Sequence, residues 1–245
     1  MAMALWTAMA LRAAAAQTSP AATSPKLSHD VVDTREQKRL LTLRDWNEVD
    51  SERPDEVIAV SLMEFPTGAV AEIRARFTRE TPPRCVSWHA VLRDRSGTEL
   101  SSAAERVVPD AFPLLTKPLP PNTYPPLAPL GYVLAHLGLG TVQPRTNFYF
   151  ILPNGSLIEM DLWLDGRETV AVPAGKFDAY RVHMRAKAES VFPNLPGVLL
   201  PVMALFVPTQ TVWLSVQEPQ MLIKFTGQTG PPGSPQLLVQ LTSAN

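Results

Sequence analysis

A mainly β fold with minor helix is what this sequence predicts: a strongly curved antiparallel sheet or half-open barrel carrying one or two packed helices. Three observations predict it. Many stretches alternate apolar and polar residues with period two, the signature of half-buried strands. Short turn signals such as Asn154-Gly155 and Pro66-Thr67-Gly68 separate them. Proline, at 25 of 245 residues, is about twice its usual ~5% frequency; it breaks long helices and interior strands and favours short elements joined by stiff loops.

The chain opens on MAMALWTAMALRAAAAQTSP. An apolar run from Met1 to Leu11 leads into Ala14-Ala15-Ala16, the small-residue pattern of a cleaved export signal over residues 1–16. Arg12 follows the apolar run, where a signal would carry its basic residues ahead of it. Residues 17–30, rich in Ser, Thr, Pro and Ala, form a linker. Residues 31–245 make a single β-rich domain, divided into a first meander (31–107), a proline-rich segment with a helix (108–140) and a second meander (141–245).

In the first meander, Thr34 to Trp46 fits a short helix capped by Asp33 or an irregular strand. The alternation is clear in AVAEIRARF. Ala71, Ile73, Ala75 and Phe77 share one face, and Val70, Glu72, Arg74 and Arg76 the other. VIAVSLMEF precedes it, and CVSWHAVL and ELSSAAERVV follow, the last two joined through Arg95-Ser96-Gly97. In LAPLGYVLAHLGLG, Leu127, Leu130, Leu134 and Leu137 recur at helical spacing; Pro129 suits the first turn, and Gly138 or Gly140 the end. This helix is expected to cover one face of the sheet.

The second meander starts with NFYFILP and SLIEMDLWL around Asn154-Gly155. Asp165-Gly166 predicts a further hairpin between SLIEMDLWL and ETVAVP, with Leu162 opposite Val170 and, across Ala174-Gly175-Lys176, Tyr180 beside Val170. That register buries Met160, Leu162, Val170, Tyr180, Val182 and Met184. It leaves Glu159, Asp161, Trp163, Arg181, His183 and Arg185 on the opposite, salt-linked face. TQTVWLSV, PQMLIKFTG and QLLVQLTS close the chain, for roughly ten strands in all.

Composition narrows the function classes. A net charge of −1 without a basic cluster excludes a nucleic-acid footprint. The single cysteine, Cys85, allows no internal disulfide and no multi-cysteine zinc site, and reads as a small buried hydrophobe. His29, His89, His136 and His183 form no HxH, HxxxH or HExxH spacing. No nucleophile elbow, P-loop or dinucleotide fingerprint is present. No metal or cofactor is implied, and the chain is not predicted to be an enzyme. Glu159 and Asp161, about 6.5–7 Å apart along a strand, match the carboxylate spacing of inverting glycosidases, ~6.5–9.5 Å. Carbohydrate hydrolysis is therefore the lesser alternative.

Between two strands lies VFPNLPGVLLPVMALFVP, residues 191–208, inside a charge-free tract from Ser190 to Gln217. A spanning helix needs ~20 predominantly apolar residues. Pro193, Pro196, Pro201 and Pro208 interrupt this stretch, so no transmembrane span is expected once the signal is removed. It is either core or a lid over an apolar cavity. With the aromatic run Phe148-Tyr149-Phe150 it supplies the candidate ligand-binding residues: Phe148, Phe150, Leu199, Leu200, Met203 and Phe206.

Three stretches, ETVAVPAGKFDAYRVHM, TVWLSVQEPQMLIKF and QLLVQLTS, resemble a bacterial family of exported β-rich domains of unknown function, the 3108 family, over about residues 140–245. The resemblance implies export to the periplasm or outside the cell, and a sheet similar to the half-barrel of periplasmic lipoprotein carriers. It brings no catalytic residues. The function expected is non-enzymatic binding of a lipid, another apolar small molecule or an envelope protein. A structural or assembly module without ligand is the alternative.

Overall fold

The structure, a computed structural model, describes residues 24–107, 119–125, 128–139, 144–152, 155–228 and 234–245. The expected signal over 1–16, most of the proline-rich passage and Asn154 of the Asn-Gly turn lie outside these residues. The strands are β1 (Leu27–Asp33), β2 (Lys38–Val49), β3 (Glu56–Glu64), β4 (Val70–Thr78), β5 (Cys85–Arg93), β6 (Glu99–Arg106) and β7 (Thr123–Tyr124). After helix α1 (Leu130–Ala135) come β8 (Arg145–Ile151), β9 (Leu157–Val172) and β10 (Gly175–Ala186). Helices α2 (Ala188–Val191) and α3 (Leu200–Ala204), with a 3-10 turn at Gly197–Leu199, precede β11 (Thr209–Ser215), β12 (Leu222–Gln228) and β13 (Gln236–Ala244).

All thirteen strands belong to one sheet, ordered β6-β5-β4-β3-β2-β1-β13-β12-β11-β10-β9-β8-β7. The pairings are antiparallel except β7 with β8, which is parallel. The sheet is strongly curved and unclosed. Its edges are β6 and β7, and curvature brings β7 near β4 and the start of β5. The Tyr124 hydroxyl on β7 donates to the carbonyl of Pro83, just before β5, at 2.7 Å, and its ring lies 6.1 Å from Phe77 on β4.

The alternation expected in β4 is the burial observed: Ala71, Ile73, Ala75 and Phe77 face the core. The turns at Pro66-Thr67-Gly68 and Arg95-Ser96-Gly97 close as expected, with Phe65 N–H on Ala69 O and Asp94 N–H on Thr98 O. Four expectations change. Residues 27–30, assigned to the linker, are strand. Thr34–Gln37 is a turn, with Asp33 accepting the Arg35 N–H at 2.8 Å, and the chain then runs straight into β2. The helix at Leu130 is only six residues long.

The fourth change is the Asp165-Gly166 hairpin, which does not form. β9 continues to Val172 and pairs with β10 from end to end, Arg181 facing Gly166 and Val182 facing Leu164. Asp165 is the extra residue of a β-bulge, and the turn falls at Pro173-Ala174. Glycine within a strand is a common bulge signal, and one long ladder pairs more backbone than two short ones. Phe177, rather than Tyr180, therefore faces Val170. Met160, Leu162, Val182 and Met184 enter the main core, with Tyr180 packed against it. Val170 joins a separate cluster with Ala179, Ile223 and Leu241, where Ala174 N–H donates to Leu241 O.

The helix packs on the concave face of the sheet. Tyr132, Val133 and Leu134 are buried in the same cluster as residues from β4, β8, β9, β11 and β12, and Phe77 contacts Tyr132 ring to ring at 4.8 Å. With Leu137 and Leu139, α1 fills the concave side of the curl. Leu134→Ala is expected to cost about 2–5 kcal/mol of unfolding free energy, the range for a truncated buried leucine, read from denaturant melts.

Candidate functional site

Apart from the buried Ala188 and Val207, the excursion between β10 and β11 is not core, and it forms no spanning helix. Its prolines break it into short pieces, yet most of its backbone is paired within itself: Phe192 N–H on Ala188 O, Leu199 on Pro196, Phe206 on Met203, Val207 on Ala204. Val198 is 82% exposed, Leu205 80%, Val202 53% and Phe206 51%. Exposed apolar side chains gathered in one charge-free segment are unusual on a soluble surface, where single ones are normal. The base is held by polar contacts. The Arg185 guanidinium donates to Ala204 O, and the Ser190 hydroxyl accepts the Glu159 N–H.

The predicted site residues fall into two groups. Phe148 is fully buried, 5.9 Å from Tyr124 and edge-on to Phe150 at 5.0 Å; Phe150 is half-buried against the same core. Leu199 and Phe206 are exposed, and Leu200 and Met203 half-buried, on the excursion. Among the described residues, no helix is long and apolar enough to cross a membrane.

The polar face of β8–β11 carries a series of ion pairs. Lys187 Nζ lies 2.5 Å from Glu159 and 3.8 Å from Asp161, and Arg145 lies 3.3 Å from Asp161. Burial pushes the Glu159 carboxyl up, but hydrogen bonds from Lys187 and Asn147 outweigh it and hold the group below its ordinary value. A glycosidase acid needs the opposite shift. The bulge aims Asp165 into this face, where it meets Arg181 at 2.6 Å and His183 at 3.2 Å. The Arg181 hydrogen bond in the first place holds Asp165 below the carboxylate range. Trp163 packs 5.5 Å from His183, and the Trp213 indole donates to Glu168 at 2.7 Å.

Three polar residues that the sequence reading passed over converge on the concave side. His29, Asp45 and Ser61 lie on adjacent strands β1, β2 and β3, each in an otherwise apolar inward stripe beside Val31, Leu43 and Ala59. Asp45 and Ser61 are cross-strand partners, and the Ser61 hydroxyl donates to Asp45. His29 is fully buried; its Nε2 bonds to Leu222 O at 2.9 Å and its Nδ1 stands 3.7 Å from Asp45. This is no nucleophilic triad, because the carboxylate rather than the imidazole receives the hydroxyl proton. Burial raises the Asp45 carboxyl, His29 and Ser61 countering it in part. Asp45 opens onto a cleft of about 90 Å³ that Trp46, Tyr132, His136 and Gln220 also line. Period-two reading of Leu41, Leu43 and Asp45 as one stripe is the signal that finds it.

No family model matches the chain, and no curated protein does. It is similar in fold to three solved bacterial structures. One is a β-barrel-like protein of domain of unknown function DUF1849 from Brucella abortus (8% identity, TM-score 0.41, 93% of this chain and 99% of that one). Another is a candidate exported protein with a YmcC-like fold from Bacteroides fragilis (12%, 0.36, 93% and 98%). The third is a candidate lipoprotein from Parabacteroides distasonis (11%, 0.35, 93% and 97%).

Two outcomes are expected. Because the Glu159 carboxyl is depressed in the fold, its stabilisation is present above the unfolded value near 4.5 and lost as pH falls through the lower folded value. Glu159→Gln should therefore be less stable than the parent at pH 7, by up to about 1 kcal/mol for a half-exposed pair. The two melting points should merge in acid. Burial pushes the Cys85 thiol up to about 12, so a maleimide at pH 7 should leave Cys85 unmodified in the native protein and label it once unfolded.

Proposed function

We propose that this chain is a non-enzymatic exported module that docks on a lipid surface of the bacterial envelope through residues 191–208. The observation that carries the reading is the exposure of Val198, Leu199, Val202, Leu205 and Phe206 in a segment with no charge. Export and the likeness to the 3108 family belong to the same reading.

The choice of lipid over a protein partner rests on polarity. Protein interfaces carry about one hydrogen bond per 100–200 Å² and a polar rim. Within 191–208 the one polar side chain is Asn194. A lipid surface asks for no hydrogen bonds but punishes unpaired backbone groups by several kcal/mol. Here the short helices pair many of those groups, and Pro193, Pro196, Pro201 and Pro208 carry no N–H at all. The ionic base at Arg185, Lys187 and Glu159 stays with water and headgroups. Each apolar side chain fully buried adds about 1.5–3 kcal/mol, so a few suffice for reversible binding. Enclosure of a ligand under a lid is the weaker reading, since α1 fills the concave side and no excursion residue lines the cleft at Asp45.

Co-sedimentation with phosphatidylethanolamine–phosphatidylglycerol vesicles tests it. The parent should pellet with vesicles. Leu205→Glu/Phe206→Glu, both at exposed positions and so harmless to folding, should bind at least tenfold more weakly with an unchanged melting point. A parent that stays in the supernatant overturns the proposal, as does a double variant that pellets equally well. So does a parent that self-associates through this segment and ignores vesicles.

A further inference from the structure

Successive antiparallel connections leave a sheet at alternate ends. The excursion joins β10 to β11, whereas Pro219, Gln220 and Met221, which line the cleft at Asp45, lie in the next connection, from β11 to β12. The cleft is therefore at the end away from the excursion, and a ligand bound there is independent of lipid docking. We propose that this cleft binds a small primary ammonium group, held by the Asp45 carboxylate against the ring of Tyr132.

Space comes first. Holding one water takes about 10–15 Å³ on the measure by which this cleft has about 90 Å³, so a group of several heavy atoms fits. Charge comes next. Asp45 is the sole carboxylate among the lining residues, and no lysine or arginine lines the cleft. Tyr132 offers a ring face, which attracts cations through its quadrupole, and is fixed by stacking on His136 at 4.1 Å, whereas the Trp46 ring already carries Lys26 Nζ at 5.3 Å from its centroid.

Donor supply decides the class of ligand. A carboxylate has about four lone-pair sites. Asp45 receives a hydrogen bond from Ser61. The buried His29 would be the natural second donor, but its Nε2 faces a carbonyl, Leu222 O, which only accepts. Its Nδ1 stands 3.7 Å from Asp45, beyond hydrogen-bond distance, and has no hydrogen-bond partner, so Ser61 is the one side-chain donor to Asp45 among the described residues. An ammonium brings a positive charge and three N–H donors. The Gln220 amide, whose nitrogen donates to Leu139 O at 3.3 Å, leaves its oxygen as a further acceptor. Gly131 of α1 keeps the approach open: a Cβ there would stand 3.7 Å from Asp45 Oδ2 and 3.6 Å from Leu222, in ordinary contact.

The test is titration of the full chain with ethylamine hydrochloride, followed by calorimetry and by tryptophan fluorescence, with ethanol as the neutral counterpart. Saturable millimolar binding of the amine, at least tenfold tighter than of ethanol, is expected. Asp45→Asn should weaken it at least tenfold. Gly131→Ala, which fits without a clash, should weaken it severalfold while keeping the parent melting point, and so separates loss of the site from loss of the fold. Parallel arms with ethanolamine and a soluble short-chain phosphatidylethanolamine tell a free amine from a lipid headgroup, and binding in either arm supports the proposal. A parent that binds no amine overturns it, as do equal binding of ethanol and amine binding undiminished in a folded Asp45→Asn protein.

Discussion

The pairing of β1 with β13 is the contact on which the rest of the sheet depends. β6 to β1 form one continuous meander and β13 to β7 another, and in the strand order they touch through β1 and β13. The ladder runs from Leu27 facing Ala244 to Asp33 facing Leu237, extended by Lys26 with Asn245 and Thr34 with Gln236. Without it the chain would be two open sheets, each with a bare edge and an uncovered apolar face, the liability that edges always carry. The partners are among the most distant in the sequence, so closing this ladder carries a large loop-closure cost that only the joint core offsets. Val31 and Val239 face each other in that ladder and both enter the main cluster.

Joining the meanders creates a curvature that side chains from one sheet cannot fill alone. The solution is α1. Its short length follows from its surroundings: Pro129 starts it and the chain turns at His136, so a single helical segment presents Tyr132, Val133 and Leu134 inward. The same packing explains why β1 to β3 tolerate His29, Asp45 and Ser61 in apolar stripes. Asp45 and Ser61 pair across strands, while His29 reaches the Leu222 carbonyl on β12, so the polar groups largely answer one another.

Strands were legible where one face is buried and the other wet. Ala71 to Phe77 alternate against Glu72, Arg74 and Arg76, and no other periodicity fits them. Asp165-Gly166 misled because the residues that make a tight turn also make a bulge, and only the partner strand decides between them. Thr34 to Trp46 was ambiguous for a similar reason: Asp45 breaks its apolar stripe for the sake of contacts on β1 and β3. Phe148 and Leu199 looked alike as apolar candidates, yet one is wholly buried and the other half exposed. Hydrophobicity sets the gain from leaving water; it does not say which surface receives the residue.

That distinction also orders the two ends of the molecule. At the β10–β11 end, apolar side chains meet solvent over a backbone whose groups are largely paired, so transfer to an apolar phase costs little beyond ordering. At the β11–β12 end the imbalance is reversed: apolar and aromatic walls enclose a carboxylate short of donors. One end therefore lacks an apolar partner, and the other lacks further hydrogen-bond donors. A chain without a catalytic constellation among its described residues can still bind at both ends, because each mismatch defines the chemistry that would relieve it.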